Sequence, residues 1–163
     1  MPRHHFADEV VIASQDPNEA PARAMLDALW DEIQRRYGFT APNGIHPSDF
    51  IGPRGGFWVA FAGDSPIGSI GLRPLSEEAA EVDAMYVAPL FRGAGVAQRL
   101  MRIFEEYARD HGFAVVRLRA GEPQPEAVRF YEKTGFRRIP SFGKWVGDDT
   151  AWCFEKELAA GSS

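Results

Sequence analysis

The chain has 163 residues, a length suited to one domain over residues 1–163 whose core buries roughly two thirds of the unfolded surface. Eighteen basic residues against 23 acidic ones give a net charge of −5, mixed along the chain, which argues against nucleic acid and suits a cationic or amine-bearing partner. The single cysteine, Cys153, excludes an internal disulfide, no apolar run is long enough to span a membrane, and residues 1–8 lack the apolar block of a secretory signal; a reducing cytoplasm is the expected setting.

Residues 10–13 form a short apolar run that reads as a first strand. Asn18 is placed to cap a helix, with Pro21 tolerated in its first turn. Along that helix Met25, Leu26, Leu29, Trp30 and Ile33 share one face, Asp27, Asp31, Glu32, Arg35 and Arg36 lie mostly on the other, and Gly38 is the stop. Residues 40–56 are rich in Pro and Gly and read as a surface loop suited to binding, with one helical turn near 48–51. Residues 57–62 and 67–72 flank Gly63-Asp64-Ser65-Pro66 as two antiparallel strands around a turn, and residues 81–87 follow as a third strand.

The next stretch carries the most chemistry. Met85-Tyr86-Val87 runs into Pro89, which has no N–H for a ladder and ends the strand, and Gly93 and Gly95 let the backbone turn sharply. From Val96 the apolar residues Val96, Leu100, Ile103, Phe104 and Tyr107 recur at helical spacing, so a helix begins inside the glycine loop. Its first N–H groups have no partner within the helix and its dipole is positive at that end, a site for a phosphate or pyrophosphate. Gly112 stops this helix, and residues 114–120 alternate Val116 and Leu118 against Arg117 and Arg119 as a further strand. Strand, helix and strand in that order predict a parallel pair. A loop at 121–125, a short helix at 126–134 ended by Gly135, and strands at 136–139 and 151–158 complete the pattern, with a frayed tail from 159 and no repeat or second domain.

A glycine pair alone is weak evidence, and its rivals fail on named residues. A dinucleotide fingerprint would need glycine where Gln98 stands, and no Gly-Lys-Ser/Thr follows for a Walker-type loop. Arg92-Gly93-Ala94-Gly95-Val96-Ala97 resembles instead the acyl-CoA pyrophosphate motif, Gln/Arg-x-x-Gly-x-Gly/Ala, of the GCN5-related N-acetyltransferase superfamily. Residues 81–100 look like that family's fourth strand, loop and third helix. Gln124-Pro125-Glu126-Ala127-Val128-Arg129-Phe130-Tyr131-Glu132-Lys133-Thr134-Gly135-Phe136 looks like its fourth helix and the turn after it, and Cys153-Phe154-Glu155-Lys156-Glu157-Leu158 resembles the ending of a bacterial branch of small acetyltransferases. The resemblance implies a mixed α/β fold, the acyl-CoA N-acyltransferase fold, with a six- to seven-stranded sheet flanked by about four helices. It also implies transfer of acetyl from acetyl-CoA directly to an amine, by a monomer or homodimer; an acyl-CoA-binding sensor that keeps the fold and the loop is the alternative.

The resemblance assigns candidate roles. The N–H groups of Gly93, Ala94, Gly95, Val96 and Ala97 would cradle the pyrophosphate with Arg92 as a charge-assisted donor, and the backbone of Met85 and Val87, flanking Tyr86, would pair with the pantetheine arm. Ala127 faces the cofactor, as does Gln124, which stands where many members have Asn. An alkylamine with a pKa of about 10 leaves roughly one part in a thousand unprotonated at neutral pH, so a base is useful; Glu81 is the first candidate and Asp83 the second, against the plainer reading of a solvated strand-end charge. A bulge between them and Met85 would exchange their faces. Tyr131 is the candidate general acid for the departing thiolate, against the plainer reading of a core tyrosine. Trp30, Tyr37, Phe57 and Trp145 are candidates for an acceptor pocket and Asp148 and Asp149 for holding a cation, with packing or solvent exposure the simpler role for each. His4, His5, His46 and His111 show no metal-ligand pattern, and Cys153 reads as a buried residue rather than a nucleophile.

Overall fold

The computed structural model describes residues 9–121, 123–148 and 151–159; the expectations for residues 1–8 with His4 and His5, for Asp149 and for the tail beyond 159 lie outside the described residues. In chain order the elements are β1 (Val10–Ser14), α1 (Ala20–Tyr37), β2 (Gly56–Ala62), β3 (Ser65–Pro74), β4 (Ala79–Val87), α2 (Val96–Asp110), β5 (Val115–Ala120), α3 (Pro125–Lys133), β6 (Arg137–Ile139) and β7 (Trp152–Glu157). Single turns of 3-10 helix lie at Pro47–Phe50, Pro89–Phe91 and Gly143–Trp145. The seven strands form one mixed sheet in the order β1-β2-β3-β4-β5-β7-β6. None of the described helices is long and apolar enough to cross a membrane.

Helix α1 starts one residue later than the sequence suggests. Glu19 takes the cap position without a side-chain bond, whereas the Asn18 N–H is turned onto Asp16 Oδ1 at 2.8 Å, inside the preceding turn. The β2–β3 connection is also tighter than expected, because Ser65 already pairs with Ala62 and only Gly63 and Asp64 form the turn.

Two cores flank the sheet. Ala80, Val82 and Val87 of β4 pack with Val96, Leu100 and Phe104 of α2 and with Tyr131 of α3 on one face. On the other, Ala84 packs with Met25, Leu26 and Leu29 of α1 and with Phe50, Phe57 and Val59. The apolar stripes of α1 and α2 are thus what hold them to opposite faces.

All neighbouring strands run antiparallel except β4 and β5, which are parallel as the strand-helix-strand order requires. That parallel contact is short: Ala79, Ala80 and Glu81 pair with Val115, Val116 and Arg117, and beyond them the strands diverge. Strand β4 also carries a bulge. Ser69 pairs with Tyr86 but Gly71 pairs with Asp83, so β4 has one residue too many, and Ala84 takes φ 54° to accommodate it. The Ser69 hydroxyl, wholly buried, donates to the Ala84 carbonyl at 2.7 Å and satisfies the group that the ladder abandons. The extra residue changes the parity of the strand, so Met85 and Val87 lie on the α2 side with Ala80 and Val82. Glu81 and Asp83 are left on the α1 side, the exchange of faces that a bulge was expected to bring.

Candidate functional site

The divergence of β4 from β5 opens a cavity of about 710 Å³, walled by the end of α1, the edge of β4, the glycine loop, α3 and the tip of β5. Met85, Tyr86, Val87, Arg92, Gly93, Gly95, Val96, Ala97, Gln124, Ala127 and Tyr131 all line it; Ala94 and Glu81 do not. Residues from three separate stretches of chain are therefore brought to one space by a break in the sheet.

At the glycine loop, Gly95 is the cap of α2 with φ 85°, and Gly93 has φ 81°. A Cβ at either would meet no protein atom within 4 Å, so within the protein it is the left-handed backbone rather than crowding that calls for glycine. Because the first helical bond runs from Arg99 N to Gly95 O, at 3.2 Å, the N–H groups of Val96, Ala97 and Gln98 precede any intrahelical acceptor. An open glycine loop on a helix N-terminus at the cavity wall fits a pyrophosphate. Arg92 is tied down beside it: its Nε donates to the Val87 carbonyl at 2.7 Å, and its Nη2 lies 2.6 Å from Glu32 of α1.

Glu81 is 3 % exposed and paired with Arg73, Nη2 to Oε1 at 2.9 Å, behind the cavity wall. Of the two candidate carboxylates, Asp83 is the one that lines the cavity, alongside Glu32 and Glu126, and its side chain is 35 % exposed. The two carboxyls are hydrogen-bonded to each other, and Arg73 Nε stands 3.7 Å from Asp83. Burial, reinforced by the hydrogen bond and charge of Glu81, raises the Asp83 pKa well above the ordinary carboxylate range, against the opposing pull of Arg73 and Lys144. Tyr131 stands edge-on to Phe130 and Phe136 at 5.4 and 5.5 Å. Burial, with a smaller contribution from the Asp83 charge, pushes its phenol far up, so it holds its proton at any physiological pH. The cavity thus joins an anion cradle, a carboxyl of raised proton affinity and a protonated phenol.

A polar strap crosses the mouth. Arg36 of α1 pairs with Glu126 of α3 and donates from Nη1 to the Pro123 carbonyl at 2.9 Å. Burial is the largest single influence on Glu126 and opposes its charge, but the Arg36 bond, a backbone N–H and the charges of Arg36 and Arg92 together outweigh it and the carboxyl lies below its usual range. The Tyr37 hydroxyl donates to Gln124 Oε1 at 2.9 Å and accepts from Arg119 Nη1 at 3.0 Å, so α1 already engages Gln124. Trp30, Tyr37 and Trp145 line the cavity, as the sequence allowed, whereas Phe57, 1 % exposed, packs on Phe50 in the core. Cys153 is buried and free, and His111 stacks on Tyr107. Among the described residues no group of three or more His, Cys, Asp or Glu is placed to hold a metal.

Sequence reasoning gave no role to Arg119 or Lys144, which line the cavity with Trp145. The alternation in β5 puts Arg119 off the α2 core, but nothing in the pattern indicates that the strand ends at a gap.

A family model described as the acetyltransferase (GNAT) family matches residues 22–136. N-acetyltransferase 8 of Mus musculus is 34% identical over 115 residues, covering 67% of this chain and 49% of that protein. The chain spans about half the length of the curated mammalian relatives it matches. Among solved structures, the putative acyl-CoA N-acyltransferase of Klebsiella pneumoniae superposes with a TM-score of 0.76 at 21% identity, over 92% of this chain and 98% of that one. A GNAT family acetyltransferase of Elizabethkingia anophelis with acetyl-CoA bound gives a TM-score of 0.65 at 17% identity, over 93% and 99%.

Proposed function

Because the chain belongs to the acetyltransferase (GNAT) family, we propose that it moves acetyl from acetyl-CoA directly to the amine of a small molecule or peptide. The observation that carries this reading is the meeting of the glycine loop, Asp83 and Tyr131 in one cavity. The N–H groups from Gly93 to Ala97 hold the pyrophosphate, with the charge of Arg92 beside them, and the open edge of β4 at Met85 and Val87 receives the pantetheine arm. For the latter, Arg92 releases the Val87 carbonyl that it now holds. Ala127 and Gln124 border the same arm from α3. The cosubstrate supplies a thioester carbonyl for the amine to attack.

Placement in the cavity supports Asp83 as base and Tyr131 as acid. Asp83, with its raised proton affinity, takes the ammonium proton of the acceptor, and Glu81, held by Arg73, supports Asp83 from behind rather than meeting the substrate. Tyr131 gives its proton to the leaving sulfur, whose conjugate thiol has a pKa of about 8.5. No covalent enzyme intermediate is needed, and Cys153 is out of reach in the sheet. Thiol release from acetyl-CoA, measured with a panel of polyamines, amino acids, aminoglycosides and peptides with free N-termini, tests the proposal. Acceptor-dependent release is expected; tight acetyl-CoA binding without release across the whole panel would mark a sensor instead.

A further inference from the structure

Beyond the reacting groups, one cation in the cavity is built to receive something. Arg119 lies against the rings of Tyr37 and Trp145, its guanidinium carbon 5.0 and 4.8 Å from their centroids. The Tyr37 hydroxyl fixes its Nη1, and Tyr37 is itself fixed by Gln124. Yet Arg119 Nε is buried and has no hydrogen-bond partner. A buried guanidinium N–H without an acceptor is costly, and such costs recur where a ligand completes the site. Its neighbours on the same strand and face differ: Arg117 is paired with Glu155 at 3.2 Å, and across the sheet Arg73 is paired with Glu81. Among the described residues no carboxylate forms an ion pair with Arg119, whereas Lys144, over the Trp145 ring at 4.8 Å, acts on the Asp83 charge.

Position gives this cation its meaning. Glu81 opposite Arg117 is the last pair of the parallel ladder, so Asp83 and Arg119 are each two residues past it, flanking the opening on the α1 side. An ammonium drawn to Asp83 thus has a positive charge across the gap from it, and Trp30, Phe39 and Ile45 form an apolar wall between α1 and the following loop. We infer that Arg119 is an anion subsite for the acceptor, and that the acceptor is a free amino acid with an apolar side chain, its amine at Asp83 and its carboxylate at Arg119. This rests on the acetyl-transfer reading for its turnover but not for its binding.

The test compares L-phenylalanine with phenethylamine, which lacks only the carboxylate. Wild-type protein should favour phenylalanine by about tenfold or more in kcat/KM, the usual value of one charge-assisted contact. In Arg119→Gln, checked for folding by circular dichroism, that ratio should collapse toward one, chiefly through KM, and Arg119→Lys should restore part of it. A wild-type ratio at or below one, or a ratio that Arg119→Gln leaves intact, overturns the subsite. Calorimetry of the same two compounds binding to the protein saturated with CoA separates the two readings. Carboxylate-dependent binding that Arg119→Gln removes sustains the subsite even if no acetyl moves, and then only the transfer reading falls. Binding indifferent to the carboxylate overturns the subsite whatever the turnover.

Discussion

Tyr131 places one hydroxyl in a wall otherwise made of Phe130, Phe136 and aliphatic side chains, and burial keeps that hydroxyl protonated. Removing it in Tyr131→Phe should lower kcat by roughly 10²-fold, the smaller end of what a general acid contributes, with KM for acetyl-CoA little altered. Steady-state kinetics decides it, and an unaltered kcat would take Tyr131 out of the chemistry. Asp83 makes a second prediction through its raised pKa. Its carboxyl binds a proton more tightly in the folded state, so its contribution to stability is full below the unfolded value of about 4 and is lost as pH rises through the folded one. Thermal midpoints of Asp83→Asn should therefore gain on wild type as pH rises from that value. The acid limb of kcat/KM, which should lie above the ordinary aspartate range in wild type, should vanish in the variant. That Tyr131 and Ala127 share a face of α3 was legible from their spacing, and both line the cavity. The burial of Glu81 was not legible, because it depends on Arg73, a partner eight residues away on another strand.

The glycine loop and the bulge are opposite cases of legibility. Gly93 and Gly95 announce themselves, since a positive φ of 81° and 85° at a helix start is a demand that sequence states openly. Gly95→Val should strain the loop by roughly 1–2 kcal/mol and crowd the pyrophosphate. Its expected signature is a KM for acetyl-CoA raised more than about tenfold, the effect of losing a single good contact to an anion. The bulge in β4 is silent because Ala84 is an ordinary residue in an unusual conformation. Its stabiliser, Ser69, sits in the middle of a strand where a hydroxyl looks incidental. Ser69→Ala leaves the Ala84 carbonyl buried without a partner and should cost about 1–3 kcal/mol, read as a lower denaturation midpoint. A midpoint equal to wild type would mean that the bulge stands without the hydroxyl.

On the scale of the molecule, the parallel neighbours β4 and β5 followed from the strand-helix-strand order, but the strap from Arg36 and Tyr37 to α3 did not, since it joins residues 87 positions or more apart. Acetyl-CoA bound across the gap should stabilise the fold by about 2.7 kcal/mol at a hundred times its dissociation constant. Amide exchange should slow on both β4 and β5 in its presence, and slowing confined to one of them would argue that the ligand does not bridge the two strands.

The brevity of the β4–β5 ladder also divides the sheet into two groups of strands. Strands β1 to β4 are antiparallel neighbours in spatial order, and β5, β6 and β7 pair among themselves, so each group is assembled largely from nearby sequence. Three ladder pairs join the groups, with α2 as the chain connection between them and a shared core packed on one face. The candidate site therefore lies at the seam between the two groups of strands, so a substitution that loosens this three-pair ladder should disturb the site before it disturbs either group.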